Sequence, residues 1–97
     1  MREMESPFEW DARKADLNFK KHQINFEEGV TIFNDLYRAT MSDPDHSIDE
    51  RRFIGIGLSS KNRMLIVSYT ERGEKTRIIS CRKATPSESR LYEEGND

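Results

Sequence analysis

Three apolar-rich runs between Arg52 and Arg82 restrict this chain more than any other feature. Arg52–Leu58 alternates, with Ile54, Ile56 and Leu58 on one side of an extended backbone. Ser59-Ser60-Lys61-Asn62 then supplies turn chemistry. Met64–Thr70 is apolar on both sides, as a central strand must be. Glu71-Arg72-Gly73-Glu74 is a tight turn into Lys75–Arg82. Three strands on short turns predict an antiparallel meander.

The segments around this meander read differently. Phe8-Glu9-Trp10 is a short extended piece after Pro7. Asp11 can cap a helix running to about Lys21, its carboxylate accepting from the amides of the first turn. Ala15, Phe19 and His22 form one apolar stripe on that helix, and Lys14, Asn18 and Lys21 form a polar stripe beside it. A second helix is expected from Asn25, with Glu28 completing a capping box, to about Asn34-Asp35. Leu36–Met41 is a plausible strand, and Ser42-Asp43-Pro44-Asp45-His46-Ser47 a turn. Thr85, Pro86 and Glu88 mark the start of a last helix. The fold class predicted is α+β: an antiparallel sheet of about four strands with helices packed on one face. Residues 1–97 read as a single domain, with 1–6 as a lead-in and 94–97 as a tail.

A chain of 97 residues leaves room for one small core, and 35% of them are charged. The longest apolar run, Met64–Val67, is far short of a membrane span, and the amino terminus lacks the apolar stretch of a signal peptide. The lone cysteine, Cys81, excludes an internal disulfide framework. We therefore expect a cytoplasmic protein without a membrane partner. The net charge of −2 argues against nucleic acid until its distribution is considered. Residues 1–50 carry −6, residues 51–83 carry +7 and residues 84–97 carry −3. A basic middle can attract phosphate on a protein that is acidic as a whole. Lysines and arginines guarding strand edges would give the same pattern.

Strict alternation along the last strand puts Arg77, Ile79 and Cys81 on one face and Ile78, Ser80 and Arg82 on the other. Arg63 opens the neighbouring strand; Glu50, Arg51 and Arg52 open the one before. Arginine forks suit phosphate, and ion pairing to Glu71, Glu74 or Glu88 is the rival use. The two histidines, His22 and His46, are the residues of a type whose unperturbed pKa lies near neutrality. A metal site of His22, His46, Asp43 and Asp45 has suitable ligand types but no motif spacing, so no metal or other cofactor is expected.

Several segments, taken in order, are similar to the BrnT family. These are Phe8-Glu9-Trp10-Asp11, then Lys14, Asn18, Lys21-His22 and Phe26-Glu27-Glu28. Asp43-Pro44-Asp45-His46-Ser47, Glu50 and Arg52 follow, then Glu71-Arg72-Gly73, Arg77-Ile78-Ile79-Ser80, Arg82, Ala84-Thr85, Glu88 and Tyr92. The resemblance covers about residues 8–93. It implies a RelE-like fold and a toxin of a type II toxin–antitoxin system that cleaves RNA and halts translation. It also implies a ribbon-helix-helix antitoxin similar to BrnA, with promoter DNA bound only through that partner. The chain departs from the pattern at Gln23, where glycine is expected, and at Gly29 and Cys81, where alanine is usual. Ser89 replaces a common arginine.

On that resemblance, the 2′-hydroxyl of RNA attacks the adjacent phosphorus without a metal. Such a step needs a base, an acid and cations for the phosphorane charge. Glu50, His22 and Lys21 are the candidates for proton transfer; Arg63, Arg77 and Arg82 for holding phosphate, with Ser80 as a donor. Lys14, Lys21 and Arg52 are candidates for binding RNA, and Trp10 or Tyr69 for stacking a base. The competing expectation is a non-catalytic module that only binds a partner and helps repress transcription.

Overall fold

The structure, a computed structural model, describes residues 6–43 and 50–95. The chain runs β1 (Phe8–Glu9), α1 (Ala12–His22), α2 (Phe26–Val30), a 3-10 turn (Thr31–Asn34), β2 (Ala39–Ser42), β3 (Arg52–Leu58), β4 (Met64–Arg72), β5 (Lys75–Lys83) and α3 (Pro86–Glu94). The sheet order is β1-β5-β4-β3-β2. The expected meander is present as β3-β4-β5, every pair antiparallel. The Phe8–Glu9 piece adds a fifth strand, parallel to β5, so the sheet is mixed.

Local chemistry accounts for the helix ends. Asp11 Oδ1 accepts from the Lys14 amide at 3.0 Å. Gln23 closes α1 in the left-handed region, at φ 62°, with its amide donating to Phe19 O. Glycine adopts that conformation without the Cβ strain glutamine accepts. Asn25 Oδ1 caps α2 through the Glu28 amide at 2.8 Å. The return half of that expected box is replaced, because the Glu28 carboxylate goes to Ser59 and Arg63 instead. At α3 both halves of the Thr85–Glu88 box form.

Two expected boundaries shift. The second helix tightens into a 3-10 turn after Val30, where Thr31 Oγ1 bonds back to Glu28 O at 2.6 Å within a β-branched run. The strand expected from Leu36 begins at Ala39, because Asp35 turns the chain. Its carboxylate accepts from the Tyr37 amide and its carbonyl from the Arg38 amide. Leu36 is left 90% exposed.

α1, α2 and the 3-10 turn cover one sheet face. The core lies there: Ile24, Phe26, Ile32, Leu65, Val67, Tyr69, Ile78 and Cys81. Helix and sheet approach closely where side chains are small. A Cβ on Gly29 would sit 2.8 Å from Cys81 Sγ. Burial pushes the Cys81 thiol up to about 12, so it behaves as an apolar group. α3 packs against β3 from the opposite side, at the end where Ile56 and Ile66 are buried.

Candidate functional site

Cross-strand partners share a face, so the register assigns side chains to one side or the other. Tyr69 pairs with Ile78, and Ser68 with Ser80, which leaves Ile79 as a bulge in β5. The bulge corrects the expected alternation. Arg77 and Cys81 are not on one face: Cys81 joins Ile78 under the helices, while Arg77, Ser80 and Arg82 share the other face.

That second face is polar near β5. Arg52 and Arg77 both register with Thr70, from opposite sides of β4. Two strand spacings separate their Cα atoms, about 10 Å. Ser68 and Ser80 form the next row, and Ile66 and Arg82 the one after. Glu50 stands beside the first row. Its Oε1 accepts from Arg52 Nε at 3.2 Å, and its Oε2 from Arg72 at 3.4 Å. Burial alone would raise the Glu50 carboxyl, but the bonds from Arg52 and Arg72 outweigh it and hold it below the usual carboxylate range. Arg77 donates to Glu9 Oε2 at 2.8 Å. Arg82 forks onto Glu88 at 2.7 and 2.8 Å. The Arg82 fork, set against burial, draws Glu88 down to about 2.

A depression of about 240 Å³ adjoins this face, between α1 and the bulge of β5. Lys14, Leu17, Lys21, His22, Ile79 and Ser80 line it, together with Asn18. Ser80 belongs to both the face and the depression. Lys14, Lys21, His22 and Ser80 therefore meet at the depression, while Arg52, Arg77, Ser80 and Arg82 share the open face, with Glu50 beside Arg52.

Three expected site residues lie elsewhere. Arg63 turns to the helix-covered side, where its guanidinium pairs with the buried carboxylate of Glu28. Along β4 it is seven residues from the Arg77 row, about 23 Å. Tyr69 is 6% exposed, stacked on Phe53 and met edge-on by Phe33, so no base can reach its ring. Trp10 packs edge-on against Phe26, part of the core. Asp45 and His46 lie outside the described residues. Among the described residues no three His, Cys, Asp or Glu side chains are grouped as metal ligands.

The candidate site residues read from the sequence leave out Arg72, Glu9 and Asn18, although all three stand in the BrnT-like segments. Arg72 reads as part of a turn, yet β4 extends to it, and Ser68, Thr70 and Arg72 continue one period-2 row. Glu9 carried no pattern of its own. Asn18 was placed on a polar stripe, but it is only 8% exposed.

Fold and face together define a small α+β domain with cationic groups ranged over an open sheet surface, an arrangement suited to a polyanion. Residues 10–88 match the family model described as "Ribonuclease toxin, BrnT, of type II toxin-antitoxin system". The chain belongs to that family, so its substrate class is RNA and its partner an antitoxin. The fold is similar to the crystal structure of the Brucella abortus ribonuclease toxin BrnT, with a TM-score of 0.58 and 23% identity. That match covers 78% of this chain and 92% of the other. A search of curated proteins gave no significant match.

Proposed function

We propose that this toxin is a metal-independent endoribonuclease that cuts RNA through its own 2′-hydroxyl and thereby arrests translation and growth in the cytoplasm. The observation that carries this reading is the union, at Ser80, of an arginine-bearing sheet face with a depression holding lysines and a histidine.

Arg77 and Arg82 hold the scissile phosphate and offset charge on the phosphorane, with Ser80 donating a hydrogen bond. Their glutamate partners occupy the same fork that a phosphate takes, so RNA binding exchanges one anion for another. Arg52 and Lys14 hold neighbouring phosphates. His22, Lys21 and Glu50 are the proton-transfer groups: one removes the 2′ proton and another protonates the leaving 5′ oxygen. The antitoxin is a ribbon-helix-helix protein similar to BrnA. It neutralises the toxin by covering Arg77 and Arg82 over an interface above roughly 1,000 Å². Promoter DNA is bound only through it.

The test is to incubate purified toxin with RNA and excess chelator, then map the ends. Cutting that leaves 2′,3′-cyclic phosphates is expected. Intact RNA at micromolar folded protein would leave a binding module as the better description. Cutting abolished by the chelator would remove metal independence alone.

A further inference from the structure

One buried polar side chain lies between the two halves of this site. Asn18 sits midway along α1, and all its hydrogen bonds are directed. Its Nδ2 donates to Cys81 O and to Ile24 O, each at 2.9 Å. Its Oδ1 accepts from the Cys81 amide at 3.2 Å. Cys81 thus meets in one carboxamide the donor and acceptor that a neighbouring strand would present. Among the described residues β1 pairs with β5 only at Thr76 and Arg77, so no strand flanks Cys81 on that edge. A single side chain from a helix takes the strand's place.

The geometry has a consequence for the depression. Of the apolar side chains of α1, Ala15 packs against the core while Leu17 and Phe19 are exposed, and such non-directional contact leaves sliding and rotation weakly defined. The two hydrogen bonds to the Cys81 backbone define both, and the third, to Ile24 O, ties α1 to the connection that follows it. Lys14, Asn18 and Lys21 recur at i, i+4 and i+7, so the bonds that fix Asn18 also fix where the two lysines emerge. They emerge beside Ile79 and Ser80, with His22 one residue further.

We propose that Asn18 is a positioning residue for RNA cleavage. It sets Lys14, Lys21 and His22 against the β5 bulge so that they address the same RNA strand as Ser80 and Arg82. This role rests on the ribonuclease function proposed above.

The test compares wild type with Asn18→Ser, which cannot make the paired contact to Cys81, and Asn18→Gln, which keeps the carboxamide one methylene out of place. Cleavage is read as kcat and KM on RNA. Binding is read with a 2′-O-methyl oligonucleotide, which cannot be cut, across a range of KCl. Both variants should lose about tenfold or more in kcat/KM. Two mispositioned lysines should make the log affinity–log salt slope shallower by about 1.4, two phosphates' worth for a single strand. In a Lys14→Ala/Lys21→Ala background Asn18→Ser should weaken oligonucleotide binding by less than about twofold further, because its effect on binding passes through those lysines. An unchanged slope, or a loss that multiplies in full in the lysine-free background, overturns the role and leaves Asn18 a fold residue. Should both variants fail to fold, the wild type still decides. Titration with the same oligonucleotide must shift the amide signals of Lys14 and Lys21 along with those of Ser80 and Arg82, and their silence overturns the proposal. Wild type that neither cuts nor binds RNA overturns the function and this role together. Wild type that cuts while Asn18→Ser cuts equally well overturns only this role.

Discussion

The two faces of the sheet treat arginine–glutamate pairs in opposite ways. On the helix-covered face the Glu28 side chain is 2% exposed, and Arg63 and Ser59 satisfy it. On the other face Glu9, Glu50 and Glu88 keep between 26% and 32% of their side-chain surface. Removing Arg63 from Glu28 would strand a carboxylate away from water, which is costly. Removing Arg77 from Glu9 leaves both groups within reach of solvent, and a phosphate can replace the carboxylate. The burial of the glutamate, more than the identity of the arginine, decides which guanidinium is free for chemistry.

The sharpest way to break that contrast is to remove arginines from each face. Arg77→Ala and Arg82→Ala should each lower kcat on RNA by about 100-fold or more, with the melting temperature little changed in Arg77→Ala and lowered in Arg82→Ala by no more than the equivalent of about 1 kcal/mol. Arg63→Ala should do the reverse and leave kcat within about threefold of wild type. Equal kcat losses for all three, in parallel cleavage and melting assays, would erase the distinction. Next comes Glu28→Ala, which leaves Arg63 and Ser59 without their shared acceptor. Urea unfolding should show a loss of about 2–3 kcal/mol, while the folded fraction still cuts RNA.

A smaller effect is expected at Gly29. Alanine is the better helix former by about 1 kcal/mol, yet its Cβ would press on Cys81 Sγ. Gly29→Ala should therefore destabilise by about 1–2 kcal/mol. Gly29→Ala/Cys81→Ala should return to within about 0.5 kcal/mol of wild type in the same unfolding assay. The two positions where the resemblance leads one to expect alanine are thus in contact: bulk lost from the helix is taken up by the strand.

On the open face, Glu88 has a folded pKa near 2 against an ordinary 4.5. A depressed carboxylate stabilises the fold above its unfolded pKa, and that stabilisation is lost as pH falls from 4.5 towards 2. Linkage sets a ceiling of roughly 3 kcal/mol, and screening at the partly exposed Arg82 brings the expectation to about 1 kcal/mol. Stability measured across that range should flatten in Glu88→Gln. The smallest change expected is a gain. Gln23→Gly relieves the left-handed cap and should add about 0.5 kcal/mol, seen as a small rise in melting temperature.

The meander was legible because alternation and turn residues act locally, and the same holds for the caps at Asp11, Asn25 and Thr85. The bulge was not. Arg77-Ile78-Ile79-Ser80-Cys81 reads as unbroken alternation, and one extra residue in a ladder leaves no mark on composition. It nevertheless decides that Arg77 and Arg82 share a face. The parallel pairing of β1 was hidden for a different reason, since two residues carry no period. Arg63 was misplaced because its partner lies 35 residues away on a helix whose carboxylate had been given to a cap. The charge block at 51–83 located the site's neighbourhood. Separating a phosphate ligand from a structural ion pair needed the burial of each partner.

β1 holds the counterion of Arg77 on the slenderest element of the sheet. Among the described residues its ties are two register pairs, one further bond from the Thr76 amide to Pro7 O, the Glu9–Arg77 ion pair and the packing of Phe8 on Phe33 and the core. Proteins open first where ties are few, at a free energy well below that of global unfolding. Fraying of this one segment would carry Glu9 away and bare a guanidinium without disturbing the meander. The resting enzyme would then keep Arg77 paired through a short edge strand that unzips, and amide exchange at Thr76 should run ahead of exchange in β4.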